Sequence, residues 1–146
     1  MSTYTSGILT VILGIVPVSS LNARELLSYE PSTVSVHGSI QRVPCIASEG
    51  QRMAPGCKVL RLEINSPVDI GGGSQIDTPV TNQKYFDIVL EQKSIVAGST
   101  GPEARGALSE LVGKPVTAVG SLTYAPTRGT TKVRFVVKDI EEIIGK

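Results

Sequence analysis

"LVGKPVTAVGSLTYAP", Leu111 to Pro126, sets a helix ending beside a strand, and the strand carries a glycine in its middle. From Pro115 onward the apolar positions recur every second residue. Val116, Ala118, Leu122 and Tyr124 share one face with Gly120, the pattern of a half-buried strand. An earlier run, "TVSVHGSIQRV" from Thr33 to Val43, places Gly38 in the same setting between Val36 and Ile40. Glycine inside a strand weakens it, so two such residues in matching positions mark a sharp bend or a close approach of two backbones. Long strands of a small barrel need both, because each must coil to pair with neighbours on either side.

Three further runs keep the period of two. "KVLRLEI" turns Leu60, Leu62 and Ile64 inward and stops at "NSP"; "KYFDIVLE" groups Phe86, Ile88 and Leu90; "TKVRFVVKDI" groups Val133, Phe135 and Val137, with Ile140 and Ile143 packing at its end. The glycine run in "DIGGGSQID" reads as a flexible hairpin connection, and Asp139, Glu141 and Glu142 read as a solvated strand edge. One helix signal stands between the third and fourth strands, in "STGPEARGALSELVGKP". Ser99 or Thr100 is placed to cap, Pro102 sits near the first helical position, Leu108, Leu111 and Val112 form an apolar stripe, and Gly113 ends it. The predicted class is therefore all-β with one helix: an OB-fold-like five-stranded small barrel with its helix between strands 3 and 4. An ordinary bulge in a β-sandwich would account for the glycines alone, and the helix position favours the barrel.

The chain has 146 residues, enough for one hydrophobic core. Its formal charge of +1, with no Trp and few other aromatics, gives no reason to expect a nucleic-acid partner. Charge is segregated, however. Residues 1–23 contain no Lys, Arg, Asp or Glu, and Ile8 to Val18 is an apolar run of the length found in signal peptides, followed by small and polar residues up to Ala23. Pro17 helps keep the run too short for a stable membrane span. The expectation is a signal peptide over 1–23 with cleavage near Ala23, a single domain over 24–146, and a periplasmic or secreted destination. A buried N-terminal strand or helix is the other reading of the same segment, which has no basic residue at its start.

Cys45 and Cys57 bracket the loop "CIASEGQRMAPGC". In an exported chain that pair reads as a disulfide. A zinc site or a reactive thiol are the alternatives, and zinc lacks ligands here, since His37 is the only histidine.

Five segments also resemble a known family: "LSYEPSTVSVHGSI" from Leu27, "VLRLEINSPV", "FDIVL", "LVGKPVTAVGSLTYAPT" and "VRFVVKDIEEI" are similar, in the same order, to the bacterial secreted domain of unknown function 4431. The resemblance runs from about Leu27 to Ile143. It implies export, an OB-like barrel and no assigned activity. That family tends to carry histidines in its last hairpin where this chain reads "PTRGTTK", so no metal site is carried over.

No residue pattern marks a catalytic centre. His37 falls on the outward parity of its strand, and "DIGGGSQID" lacks the Lys and Ser/Thr of a phosphate loop. The sequence is read as that of a non-enzyme without cofactor or metal. Binding is better motivated. OB barrels present the face of strands 2 and 3 and the loops between strands 1 and 2 and between strands 4 and 5. In this chain those loops are Val43 to Gly56 and Ala125 to Thr131, and the candidate binding residues are Arg42, Arg52, Lys58, Arg61, Tyr124, Arg128 and Lys132. A cationic surface with a stapled loop suits docking to an acidic protein, as inhibitor and immunity proteins do. An oligosaccharide or cell-envelope glycan is the alternative ligand, and an uncharacterised structural protein the third reading. Lys84 and Lys93 serve as control positions outside this expected face.

Overall fold

Alternation decides which side of each strand is wet. In the strand Val34–Pro44, Val34, Val36, Gly38 and Ile40 are buried while Ser35 and His37 are exposed. The computed structural model describes residues 24–45, 55–73, 78–125 and 131–144, and among these the chain forms seven strands and one helix. In chain order they are β1 (Glu25–Leu27), β2 (Val34–Pro44), β3 (Lys58–Ile70), β4 (Val80–Val89), β5 (Ile95–Val96), α1 (Pro102–Glu110), β6 (Pro115–Tyr124) and β7 (Val133–Glu142).

Five of the strands close into a barrel. β2 pairs with β3, β3 with β4, β4 with β7, β7 with β6, and β6 returns to β2; all of these pairs are antiparallel except β4–β7. The core is the shared interior, with Leu62, Phe86, Leu122 and Phe135 fully enclosed. Closure leaves the barrel staves with neighbours on both sides, which removes the exposed edges that otherwise invite aggregation.

Both glycines sit where two backbones come too close for a side chain. Gly38 lies where the two pairings of β2 overlap, with Val116 of β6 on one side and Ile64 of β3 on the other. A Cβ there would run into the Glu63 carbonyl and lie 2.8 Å from Ile64 Cα. Gly120 lies at the register shift between β6 and β7, and a Cβ there would strike the Val136 carbonyl oxygen and come within 2.7 Å of the Phe135 ring.

Five local expectations are revised. β3 does not stop at "NSP" but continues to Ile70, with the Asn65–Pro67 stretch accommodated as a bulge in the pairing with β4. Beyond the bulge its neighbour is no longer β2 but the short parallel strand β1, and a proline is tolerated there because a bulge asks for no ladder donor. The helix is not capped by Ser99 or Thr100. Ser99 exchanges backbone bonds with Val96 at 2.8 and 2.9 Å, so the N-cap passes to Gly101 without a side-chain bond. Ile143 is 40% exposed, and Asp139 is half-buried rather than solvated. Finally, Tyr29, to which the sequence reading gave no place in the core, is wholly enclosed, donating its hydroxyl to the Thr78 carbonyl at 2.7 Å. Burial pushes the pKa of that hydroxyl above its ordinary value.

α1 packs Ala104, Leu108 and the following Leu111 into the core. Gly113 just after it adopts φ 83°, a left-handed turn that favours glycine, and its N–H reaches the Ile40 carbonyl at 2.9 Å. The helix end is thereby fixed to β2. No helix among the described residues is long and apolar enough to cross a membrane.

Candidate functional site

Four of the candidate binding residues, Arg42, Lys58, Arg61 and Lys132, fall into two grooves. Outward positions on β3 alternate with the buried Leu62 and Ile64, which turns Arg61 and Glu63 to the surface. On β4 the neighbouring outward residue is Tyr85, 37% exposed, and the β3–β4 register sets Glu63 opposite Tyr85 and Arg61 opposite Asp87. Arg61 leans along the sheet so that its guanidinium carbon stands 4.2 Å from the centre of the Tyr85 ring. Arg61, Tyr85, Lys84 and Lys132 line a groove of about 450 Å³ that contains no acidic residue among the described ones.

Glu63, the carboxylate nearest along β3, is already engaged. Its two oxygens take the Gln41 side-chain amide and the Lys84 ammonium, the latter at 3.5 Å. Asp87 is also occupied: it accepts the Thr131 N–H at 2.9 Å, while its own N–H donates to the Thr131 hydroxyl at 2.9 Å. These bonds fix the end of the loop 125–131 one strand away from Arg61, a spacing of about 4.8 Å.

The stapled loop begins close by. Cys45 and Cys57 form the disulfide expected of them, with Cα atoms 5.5 Å apart, and Cys45 N–H donates to the Cys57 carbonyl at 3.1 Å. The bridge therefore continues the β2–β3 ladder past Pro44 and Lys58. Lys58 is three residues from Arg61 along β3, about 10 Å.

Lys58 and Arg42 belong to a second groove, of about 290 Å³, where Arg105 of α1 joins them over an apolar floor that includes Leu60, Ile88 and Leu108. No carboxylate lines this groove either, among the described residues. The sequence-predicted cations thus divide, with Arg61 and Lys132 on one side and Arg42 and Lys58 on the other. Arg52 and Arg128 lie outside the described residues.

Tyr124 takes no part in either groove. It is half-buried against the core and meets Tyr29 edge-on, with ring centres 6.4 Å apart and planes at 80°. The available aromatic is Tyr85, which sequence reasoning missed, together with Lys84, which it set aside as a control, and Arg105. The alternation in "KYFDIVLE" does mark Tyr85 as outward, but its pairing with Arg61 depends on the register of another strand. His37 is exposed, as its parity implies, with Nδ1 3.1 Å from the Thr117 hydroxyl. No group of three or more His, Cys, Asp or Glu among the described residues is arranged to hold a metal ion.

A comparison with protein-family models finds no match to the chain, and a comparison with curated protein sequences finds none either.

Proposed function

We propose that the chain is an exported, non-enzymatic binding protein that docks an acidic protein partner on the face formed by β3, β4 and the ends of the loops 45–57 and 125–131. The observation that carries this reading is the groove in which Arg61, Lys84 and Lys132 gather without a lining carboxylate among the described residues. A cationic concavity of this kind steers acidic partners and speeds their encounter. The strand order β2-β3-β4-β7-β6, closed on β2, with α1 in the chain between β4 and β6, supports the OB-like reading, in which this face is the usual ligand surface. The disulfide is compatible with export, and the resemblance to the secreted domain of unknown function 4431 supports the same destination. An envelope glycan would ask for an aromatic with an open face, and the Tyr85 ring is already covered on one side by Arg61.

The test begins with partners captured from a periplasmic extract, whose affinity is then measured against two double reversals. Changing Lys84 and Lys132 to Glu should weaken an acidic partner about tenfold or more, while changing Lys93 and Lys138, which lie outside the groove, should leave it nearly unchanged. Equal effects of the two pairs would remove the groove from the interface. A mature N-terminus far from Arg24, or a cytosolic location in the native host, would remove export.

A further inference from the structure

An arginine laid on an aromatic ring has its face occupied and its edge free. The five N–H donors of a guanidinium lie in its plane, and the contact with the Tyr85 ring holds Arg61 in place through its charge rather than through a hydrogen bond to a side-chain acceptor. One of these donors is conspicuous: Arg61 Nε is buried and has no hydrogen-bond partner among the described residues. Buried polar groups are normally satisfied, and an unmet donor on a charged side chain marks a guanidinium whose hydrogen bonding the described residues leave incomplete. The described residues supply no acceptor for it. Glu63 is held by Gln41 and Lys84, Asp87 is bonded to Thr131, and no described residue lining the groove is acidic.

We propose that the Arg61–Tyr85 stack is the seat of a single carboxylate, an Asp or Glu side chain of the docked partner. The carboxylate pairs end-on with Arg61 through its two Nη–H groups, flanked by the ammonium groups of Lys84 and Lys132. This proposal rests on the reading that the face docks an acidic protein, and it adds which residue anchors the partner and by what geometry. A carboxylate is planar and lies in the guanidinium plane with both oxygens bonded, the fork-to-fork arrangement that makes Arg–carboxylate pairs specific. A tetrahedral phosphate in the same place would press an out-of-plane oxygen toward the electron-rich face of Tyr85. Lysine at position 61 would keep the charge and lose the fork.

The experiment titrates the isotope-labelled chain with a hexaglutamate peptide and follows the Nε–Hε signals of its arginines by NMR. Arg61 should shift strongly and saturably, ahead of Arg42 and Arg105. R61K should weaken the peptide about tenfold although the net charge is unchanged, and Y85L, which keeps the arginine but frees its side chain, should weaken it several-fold. Unchanged melting of both variants separates loss of the seat from loss of the fold, and the two substitutions remove different parts of the stack. If R61K binds as well as the parent, or if Arg42 and Arg105 shift while Arg61 does not, the seat is wrong and the acidic-partner reading stands. Absence of any binding to the peptide overturns both. Tighter binding of inorganic phosphate or of a galacturonic acid trimer than of hexaglutamate overturns the assigned occupant.

Discussion

The seam formed where β2 meets β3 at Gly38 and β6 meets β7 at Gly120, and the groove on the outside of β3 and β4, are built on opposite principles. At the seam, Gly38 and Gly120 bring backbone against backbone, and no other residue fits without moving a carbonyl. In the groove, Arg61 and Tyr85 touch through flexible side chains at 4.2 Å, and most substitutions there would leave the backbone undisturbed. The seam therefore holds the fold and tolerates almost nothing, while the groove is free to vary and to serve recognition. Stability and binding should separate cleanly between them.

The sharpest break of that contrast is Gly120→Val. Its branched side chain must displace both the Val136 carbonyl and the Phe135 ring, which lie on β7, and overpacking against backbone should cost more than about 3 kcal/mol, seen as a large drop in the denaturant midpoint. Gly38→Val should behave alike. The comparison substitution is Thr123→Val, on the same strand but half-buried and facing outward, where it gives up a 2.9 Å bond to Glu30 and should cost no more than about 1 kcal/mol. Comparable losses at Gly120 and Thr123 would mean that the seam is not the constraint described.

These two regions were also unequally legible in the sequence. The inner face is written locally: the alternation of Val34, Val36 and Ile40, of Leu62 and Ile64, and of Val133, Phe135 and Val137 needs no knowledge of neighbours, and all of these residues are buried. The glycines break that alternation at positions only close packing explains. The groove is written non-locally. Arg61 meets Tyr85 because of the register between β3 and β4, and the register of their far halves is shifted by the bulge around Asn65–Pro67, which reads in sequence as the end of a strand. Tyr29 and the short strands β1 and β5 escaped for a related reason, since two or three residues carry too little periodicity to register as a strand.

The disulfide lies at the end of the β2–β3 ladder, where it closes the loop between Cys45 and Cys57. Replacing Cys45 and Cys57 with Ser should lower stability by up to about 3 kcal/mol, the loop-closure value for a ring of this size, with a smaller loss if the β2–β3 ladder already holds the ends together in the unfolded ensemble. A variant with parental stability that nevertheless bound its partner more weakly would place the staple wholly on the recognition side. Charge reversal at Lys84 and Lys132 belongs there already. It should shift stability by no more than about 1 kcal/mol, since Lys84 gives up its exposed pairing with Glu63, while lowering the association rate, and the rate difference from the parent should shrink as salt is raised.

The smallest expected effect is at the outer end of β3, where Arg24 Nε meets the Asp69 carboxylate at 2.9 Å and the Asn82 N–H donates to the same oxygen at 2.9 Å. The Arg24 bond, followed by the Asn82 bond, holds the Asp69 carboxyl below its ordinary value of 3.8. A carboxylate depressed by folding contributes stability that is fully present above its unfolded value and fades as pH falls through its lowered folded value. The parent should therefore exceed Asp69→Asn by a constant small margin above about pH 5, and the margin should close as pH falls below the ordinary carboxylate range. Arg24→Gln should narrow the margin, because it removes the largest cause of the shift and leaves only the Asn82 bond. The pair is exposed and screened, so denaturant midpoints must be compared at low salt to resolve it. A margin that stayed flat down to the acid transition would show that Asp69 contributes through hydrogen-bonding shape alone, and that the first residues of β1 are held by their parallel pairing with Val68, Asp69 and Ile70 rather than by charge.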